Sequence, residues 1–184
     1  RHEAGHTVVA FHTKTSDPLH KVTIIPHGGA LGLTMQLPEE DKYCSTQEEY
    51  EDRIKVLLGG YLAEKLYYGD KGSTTGVKND LQRAKAIAAA MVKEFGMSEL
   101  GPIYNSSGND NVFLGREMSM SRRGDISEEV SSSIDREIRS IIEICMDKAK
   151  GILLHNKVAM DKLVDDLMEH ETLNAEQINE VLSS

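Results

Sequence analysis

Two histidines four residues apart bracket a glutamate near the start of the chain, in the run His2-Glu3-Ala4-Gly5-His6. On a helix, positions four apart lie on one face about one turn from each other. Both imidazoles can therefore reach one cation, with nitrogens at roughly 2.0 to 2.1 Å from a zinc ion. Glu3 sits beside that face, where it can accept a proton from water activated by the metal. Two imidazoles do not complete such a site: catalytic zinc takes three protein ligands and leaves one position for water, whereas structural zinc is usually closed by four.

His12 is a candidate third ligand, because one class of zinc protease places a histidine at this distance, after a glycine that breaks the helix. Val9 stands at that glycine position here. If the helix continues, His12 lies about 15 Å farther along the axis than His2 and is rotated away, so it reads as structural. Two carboxylates remain. Glu64, in Gly59-Gly60-Tyr61-Leu62-Ala63-Glu64, falls among apolar helix positions. An unpaired carboxylate there would be costly, and a metal-bound histidine is a suitable partner. Asp80, in Gly76-Val77-Lys78-Asn79-Asp80-Leu81, opens a helix and could equally be complementing its dipole. Spacing alone does not separate the two.

The elements that must position these residues are mostly helical. The motif opens a helix from His2 to about Thr13, stopped by Asp17-Pro18. Two β-like runs follow, Lys21 to Ile25 and Leu33 to Leu37, joined by the turn Pro26-His27-Gly28-Gly29-Ala30. They predict a small hairpin or a pair of edge strands. Ser45 and Thr46, each with a glutamate three residues on, are capping-box patterns opening a helix over about 47–68. Its apolar stripe is Ile54, Leu57, Leu58, Tyr61, Leu62 and Leu66. A helix over about 79–95 carries Leu81, Ala84, Ile87, Ala88, Met91 and Val92, and Gly96 ends it. Residues 105–125 are polar and aperiodic and read as a loop. A long helix over about 127–155 turns Val130, Ile134, Ile138, Ile141, Ile142, Cys145, Ala149 and Ile152 inward, and helices over about 158–170 and 175–182 close the chain, the last capped by Asn174 with Gln177. The predicted fold class is mainly α with a minor β element near the site, in one domain spanning residues 1–184.

Composition narrows the function classes. A formal net charge of -9, with Arg122-Arg123 as the basic cluster, argues against nucleic acid or an acidic membrane surface as a partner. Cys44 and Cys145 are far apart and lack metal-site spacing, which favours a reducing compartment over a disulfide framework. No apolar run approaches the roughly 20 residues that cross a bilayer, so this stretch is expected to be soluble. It begins at Arg1 without a methionine and reads as part of a longer chain.

Taken together, the short motifs resemble the peptidase domain of the FtsH family of membrane-bound, ATP-dependent zinc proteases. The resemblance runs from His2–His6 through Lys21-Val22-Thr23-Ile24-Ile25-Pro26, Gly28 to Thr34, Leu37-Pro38-Glu39-Glu40-Asp41, Gly59-Gly60 with Ala63-Glu64, and Thr75-Gly76 with Asn79-Asp80-Leu81. It continues through Phe95-Gly96-Met97-Ser98, Phe113-Leu114-Gly115-Arg116 and Ser127-Glu128-Glu129. It implies His2, His6 and Asp80 as ligands to one Zn2+, Glu3 as the general base, and Glu64 as a carboxylate orienting a ligand histidine. It also implies that Leu33, Thr34, Met35 and Gln36 line the cleft as an edge strand to which substrate adds. Arg1 departs from the family, which usually has an aromatic residue there, and the helical turn that ordinarily precedes the motif would be needed for full metal affinity. By the same resemblance an ATPase module using ATP and Mg2+ and membrane helices lie upstream, the assembly is a homo-hexamer on the cytoplasmic side of the bacterial inner membrane, and the substrates are unfolded or membrane proteins. Two other readings compete: a helical interaction module with an incidental or structural ion, and a metallopeptidase with no ATPase partner.

Overall fold

The structure is a computed structural model and describes residues 1–26, 32–37, 44–102 and 123–183, with the backbone alone for 123–127. The turn residues 27–30, the motif segment 38–41 and residues 103–122, which include most of the expected loop, lie outside the described residues. The described chain is mainly helical with one small antiparallel sheet.

Helix α1 (His2–His12) is the centre of the molecule. Every residue from Ala4 to Ala10 is buried, because the helix is apolar or small on nearly all sides and packs against α2, the sheet, α4 and α5. Helix α2 (Gln47–Tyr68) starts at the expected capping box, Thr46 Oγ1 accepting from the Glu49 N–H and the Glu49 carboxylate accepting from the Thr46 N–H. Ile54, Leu57, Leu58, Leu62 and Ala63 of α2 are buried. Asp52, also buried, ties the segment after α1 to α2 by accepting from the Thr15 N–H and Oγ1 at 2.9 and 2.7 Å and pairing with Lys55. Burial opposes the charge on Asp52, but Lys55 and the two Thr15 donors outweigh it and hold the carboxyl below its ordinary range.

A single turn of 3-10 helix, Thr75–Val77, leads into α3 (Lys78–Lys93). After α3 the chain turns at Gly96, whose φ of 63° lies in the left-handed region, and the Met97 N–H returns to the Met91 carbonyl at 2.8 Å. Helix α4 (Arg123–His155) begins before the expected Ser127. Extending a formed helix costs little per residue, so residues 123–125 join it rather than the loop. Val130 is 43% exposed and does not face the core as expected, while Leu153, outside the expected stripe, is buried. The inward face begins at Ile134, where α4 reaches α2 and α3. Helices α5 (Lys157–His170) and α6 (Ala175–Leu182) follow, α6 with the expected Asn174–Gln177 capping box.

The sheet contains β1 (Leu19–Thr23), β2 (Leu33–Gln36) and β3 (Thr172–Asn174) in the order β2-β1-β3, both pairings antiparallel. Two points differ from the sequence expectation. Strand β1 starts two residues earlier and stops at Thr23, leaving Ile25 exposed, and it is the central strand rather than half of an isolated hairpin. The third strand is three residues long, too short to show a period, and its pairing joins the two ends of the chain. Thr23 Oγ1 meets Thr172 Oγ1 at 2.7 Å across it. Strand β2, among the described residues, pairs with β1 on one side and keeps an outer edge, as expected. Among the described residues, no helix is long and apolar enough to cross a membrane.

Candidate metal centre

The site is assembled where α1, α2 and the start of α3 meet. Helices α1 and α2 cross with their backbones almost touching: a Cβ built on Gly5 would stand 2.3 Å from the Gly59 carbonyl oxygen, and one built on Gly59 would stand 2.7 Å from the Gly5 oxygen. At the next residue, a Cβ on Gly60 would fall 2.6 Å from both His2 Cε1 and His6 Nε2. The imidazoles therefore lie directly on bare α2 backbone. Two glycines inside a helix cost it about 1 kcal/mol each relative to alanine. That cost is a signal of close approach legible in the sequence, beyond the family match that Gly59-Gly60 carries there.

Each ring is oriented through its Nδ1. His6 Nδ1 stands 2.7 Å from the Val56 carbonyl oxygen, an atom that can only accept, so this nitrogen carries the hydrogen. His2 Nδ1 donates in the same way to Glu64 Oε1 at 2.9 Å. In the neutral rings the two Nε2 atoms are then bare acceptors, and they stand 3.0 Å apart. Asp80 Oδ2 is 3.3 Å from each. Three acceptor atoms thus form a triangle of 3.0, 3.3 and 3.3 Å, an arrangement that is repulsive without a proton or a cation among them. Donors held tetrahedrally at roughly 2.0 to 2.1 Å from zinc are about 3.3 Å apart, so the donor set fits that ion in both chemistry and spacing. Among the described residues this trio is the group so placed.

Glu64 is buried and lies on the far nitrogen of His2, away from the triangle. It also accepts from the Thr74 N–H at 2.6 Å and from Thr74 Oγ1 at 3.3 Å. Thr74 caps the 3-10 turn that delivers α3, so one carboxylate braces both the His2 ring and the element carrying Asp80. Thr74 is not among the residues expected from sequence, although an N-terminal capping pattern ahead of Gly76 flags it; nothing in the sequence points to the Val56 carbonyl. His12 lies exposed at the other end of α1, against Phe11 and outside the cluster. Arg1 sits over the Tyr67 ring, 4.1 Å from its centroid.

Charge in the cluster is tightly balanced. Burial disfavours a proton on His2, but Asp80 outweighs it, with Glu3 and Glu64 adding, and the pKa is raised. Burial likewise resists ionisation of Asp80, yet the hydrogen bonds and positive charge that His2 and His6 supply when protonated prevail and its pKa is lowered. Glu3 accepts from Thr34 Oγ1 of β2 at 3.0 Å on Oε2, which places the expected base against the expected edge strand. Leu33, Thr34, Met35 and Gln36 make up that strand and are all part-buried.

Comparison with known proteins bears on this arrangement. The model of peptidase family M41 matches residues 1–181. The chain belongs to peptidase family M41. Relatives of this M41 chain include proteins named ATP-dependent zinc metalloprotease FtsH from Acidobacterium capsulatum, 44% identical over 98% of the chain, and from Pelodictyon phaeoclathratiforme, 46% identical over 98%. The protein of that name from Thermotoga maritima is 42% identical over 99%. The chain spans 28%, 27% and 30% of the lengths of these three relatives. The M41 relationship agrees with the mainly helical fold expected from sequence, and the zinc in the relatives' names agrees with the donor set found here.

Proposed function

We propose that residues 1–184 are the zinc endopeptidase domain of an ATP-dependent, membrane-anchored protease, with Glu3 as general base and His2, His6 and Asp80 holding the ion. The observation that carries this reading is the triangle of three acceptors whose other ring nitrogens are already committed to Val56 and Glu64. A zinc ion held there would act as a Lewis acid, lowering the pKa of a water and polarising the scissile carbonyl. Glu3 takes a proton from the attacking water and returns it to the leaving amine. The outer edge of β2, Leu33 to Gln36, offers backbone N–H and C=O groups to an extended substrate. Such pairing is tolerant of sequence and suits unfolded protein as substrate. The ATPase module with ATP and Mg2+, the homo-hexamer and the address on the cytoplasmic face of the bacterial inner membrane belong to the full-length protein in this proposal. The relatives' names support its ATP dependence.

Zinc content and peptide cleavage, each measured with and without a chelator, test the reading directly. Loss of an orienting carboxylate typically weakens metal binding by about 10- to 100-fold. Glu64→Gln should fall in that range and Asp80→Asn beyond it. Equal or reversed losses would move the third-ligand role to Glu64.

The pH response has a sign that depends on the metal. Without it, the raised His2 pKa contributes stability that is full below 6.5 and is lost as pH rises through the folded value. A metal needs the ring unprotonated, so its affinity falls as the pH drops through that same region. In chelator, thermal stability should decline between about pH 6 and about pH 8 through this group, whereas the gain on adding zinc should grow over that interval. Calorimetry at both pH values checks it, and a zinc-induced gain that is larger at the lower pH would contradict it.

A further inference from the structure

We propose that Thr34 is a positioning residue for Glu3, and that β2 serves the base through its side chains as well as substrate through its backbone. The inference rests on Glu3 acting as the proton acceptor.

A hydroxyl has one hydrogen to give, and the hydrogens around Glu3 can be counted. Thr7 Oγ1 lies 2.8 Å from the Glu3 carbonyl oxygen, one turn back on α1, and donates to it. That commits the Thr7 hydrogen. Thr34 Oγ1 lies 3.0 Å from Glu3 Oε2, 3.2 Å from the same Glu3 carbonyl and 3.3 Å from Thr7 Oγ1. The carbonyl keeps a second lone pair, but the carboxylate oxygen is both nearer to Thr34 Oγ1 and charged, so the Thr34 hydrogen goes to Oε2. Gly32, two residues earlier, completes the rest. A Cβ there would stand 2.7 Å from Glu3 Cγ and 2.9 Å from both Glu3 Oε1 and the Thr23 carbonyl oxygen. The bare glycine makes room for the stem of the glutamate while Thr34 holds one of its oxygens.

The strand that does this is itself fixed. Thr34 lies opposite Val22, which is fully buried in the central strand, and Gln36, on the same face of β2 as Thr34, donates to the Asp17 carbonyl at 2.8 Å. The proton leaving water is taken on the carboxylate that Thr34 holds: one water O–H bond breaks and one carboxyl O–H bond forms, and the reverse transfer delivers that proton to the amine. Neither Thr7 nor Gly32 stood out by type or spacing in the sequence, and Thr34 stood out only as part of the edge strand.

Thr34→Val removes the hydroxyl at nearly constant shape, and Thr34→Ser keeps it. A hydrogen bond to a charged group is worth enough that Thr34→Val should lower kcat for peptide cleavage by about tenfold or more, with KM and zinc content unchanged. Thr34→Ser should stay near wild type. In a Glu3→Gln background the Thr34→Val change should have no further effect on residual turnover. A crystal structure of metal-free Thr34→Val protein should show the Glu3 carboxylate displaced, a readout independent of turnover. Wild-type kcat in Thr34→Val, equal damage from valine and serine, or an unmoved Glu3 carboxylate would overturn the assignment. Full turnover by Glu3→Gln alone would instead remove the base role on which it rests, so the two failures are distinguishable.

Discussion

Glu3→Gln is expected to reduce peptide cleavage by about a thousandfold while leaving zinc content unchanged. General acid–base catalysis typically contributes about 10²- to 10⁴-fold, and an amide of the same size cannot accept the proton. The three atoms of the triangle, His2 Nε2, His6 Nε2 and Asp80 Oδ2, are untouched by the change. Thr34 can still donate to the amide oxygen, so β2 should keep its place. Zinc content by mass spectrometry, paired with cleavage of a fluorogenic peptide, separates the outcomes. Retained turnover would exclude Glu3 as the base, and loss of zinc would make it a ligand or a structural support instead.

Gly5→Ala should destabilise the fold by about 2 to 3 kcal/mol and lower zinc occupancy with it, although alanine is the better helix former. In an exposed helix the exchange would gain about 1 kcal/mol. Here the added methyl would meet the Gly59 carbonyl oxygen at 2.3 Å and Ala63 Cβ at 2.6 Å. Backbone cannot rotate aside, so α1 and α2 must separate, and overpacking of this kind costs about 1 to 3 kcal/mol or more. Separation also pulls Gly60 and Glu64 from the imidazoles they support. Gly151→Ala is the control: that exposed glycine lies within α4, with nothing beyond its own stretch of helix within 4 Å of the added carbon, and it should be neutral or stabilising. Urea unfolding of the two variants gives the comparison. A Gly5→Ala protein as stable as the parent would mean that the two helices do not cross as described.

The outcome at Glu64 and Asp80 shows how far local pattern reaches. Both carboxylates were visible as candidates, one because it fell among apolar positions and one because it opened a helix. Which oxygen faces which ring nitrogen depends on the crossing of α1 with α2 and on the 3-10 turn capped by Thr74, contacts between residues 62 and 10 positions apart. Spacing along a chain carries no such information. The resemblance to a known family, not the periodicity, favoured Asp80 from sequence, and the distances now place Asp80 in the triangle and Glu64 behind it. Val130 and Leu153 make the same point for packing. A helical stripe names a face of α4, but where along its length that face meets a neighbour is set by the other helices.

What the sequence determined by itself was local. Helix periods and two capping boxes arise from contacts within a few residues, and so does the placing of His2 and His6 on one face; α1 itself ends at His12, ahead of the expected stop at Asp17-Pro18. The tertiary structure alone decided that β3 pairs beside β1, that glycines at 5, 59 and 60 let backbone lie against backbone and ring, and that Thr34 meets Glu3. Those contacts join segments separated by tens of residues, and they form only where buried shape and hydrogen-bond donors match in space.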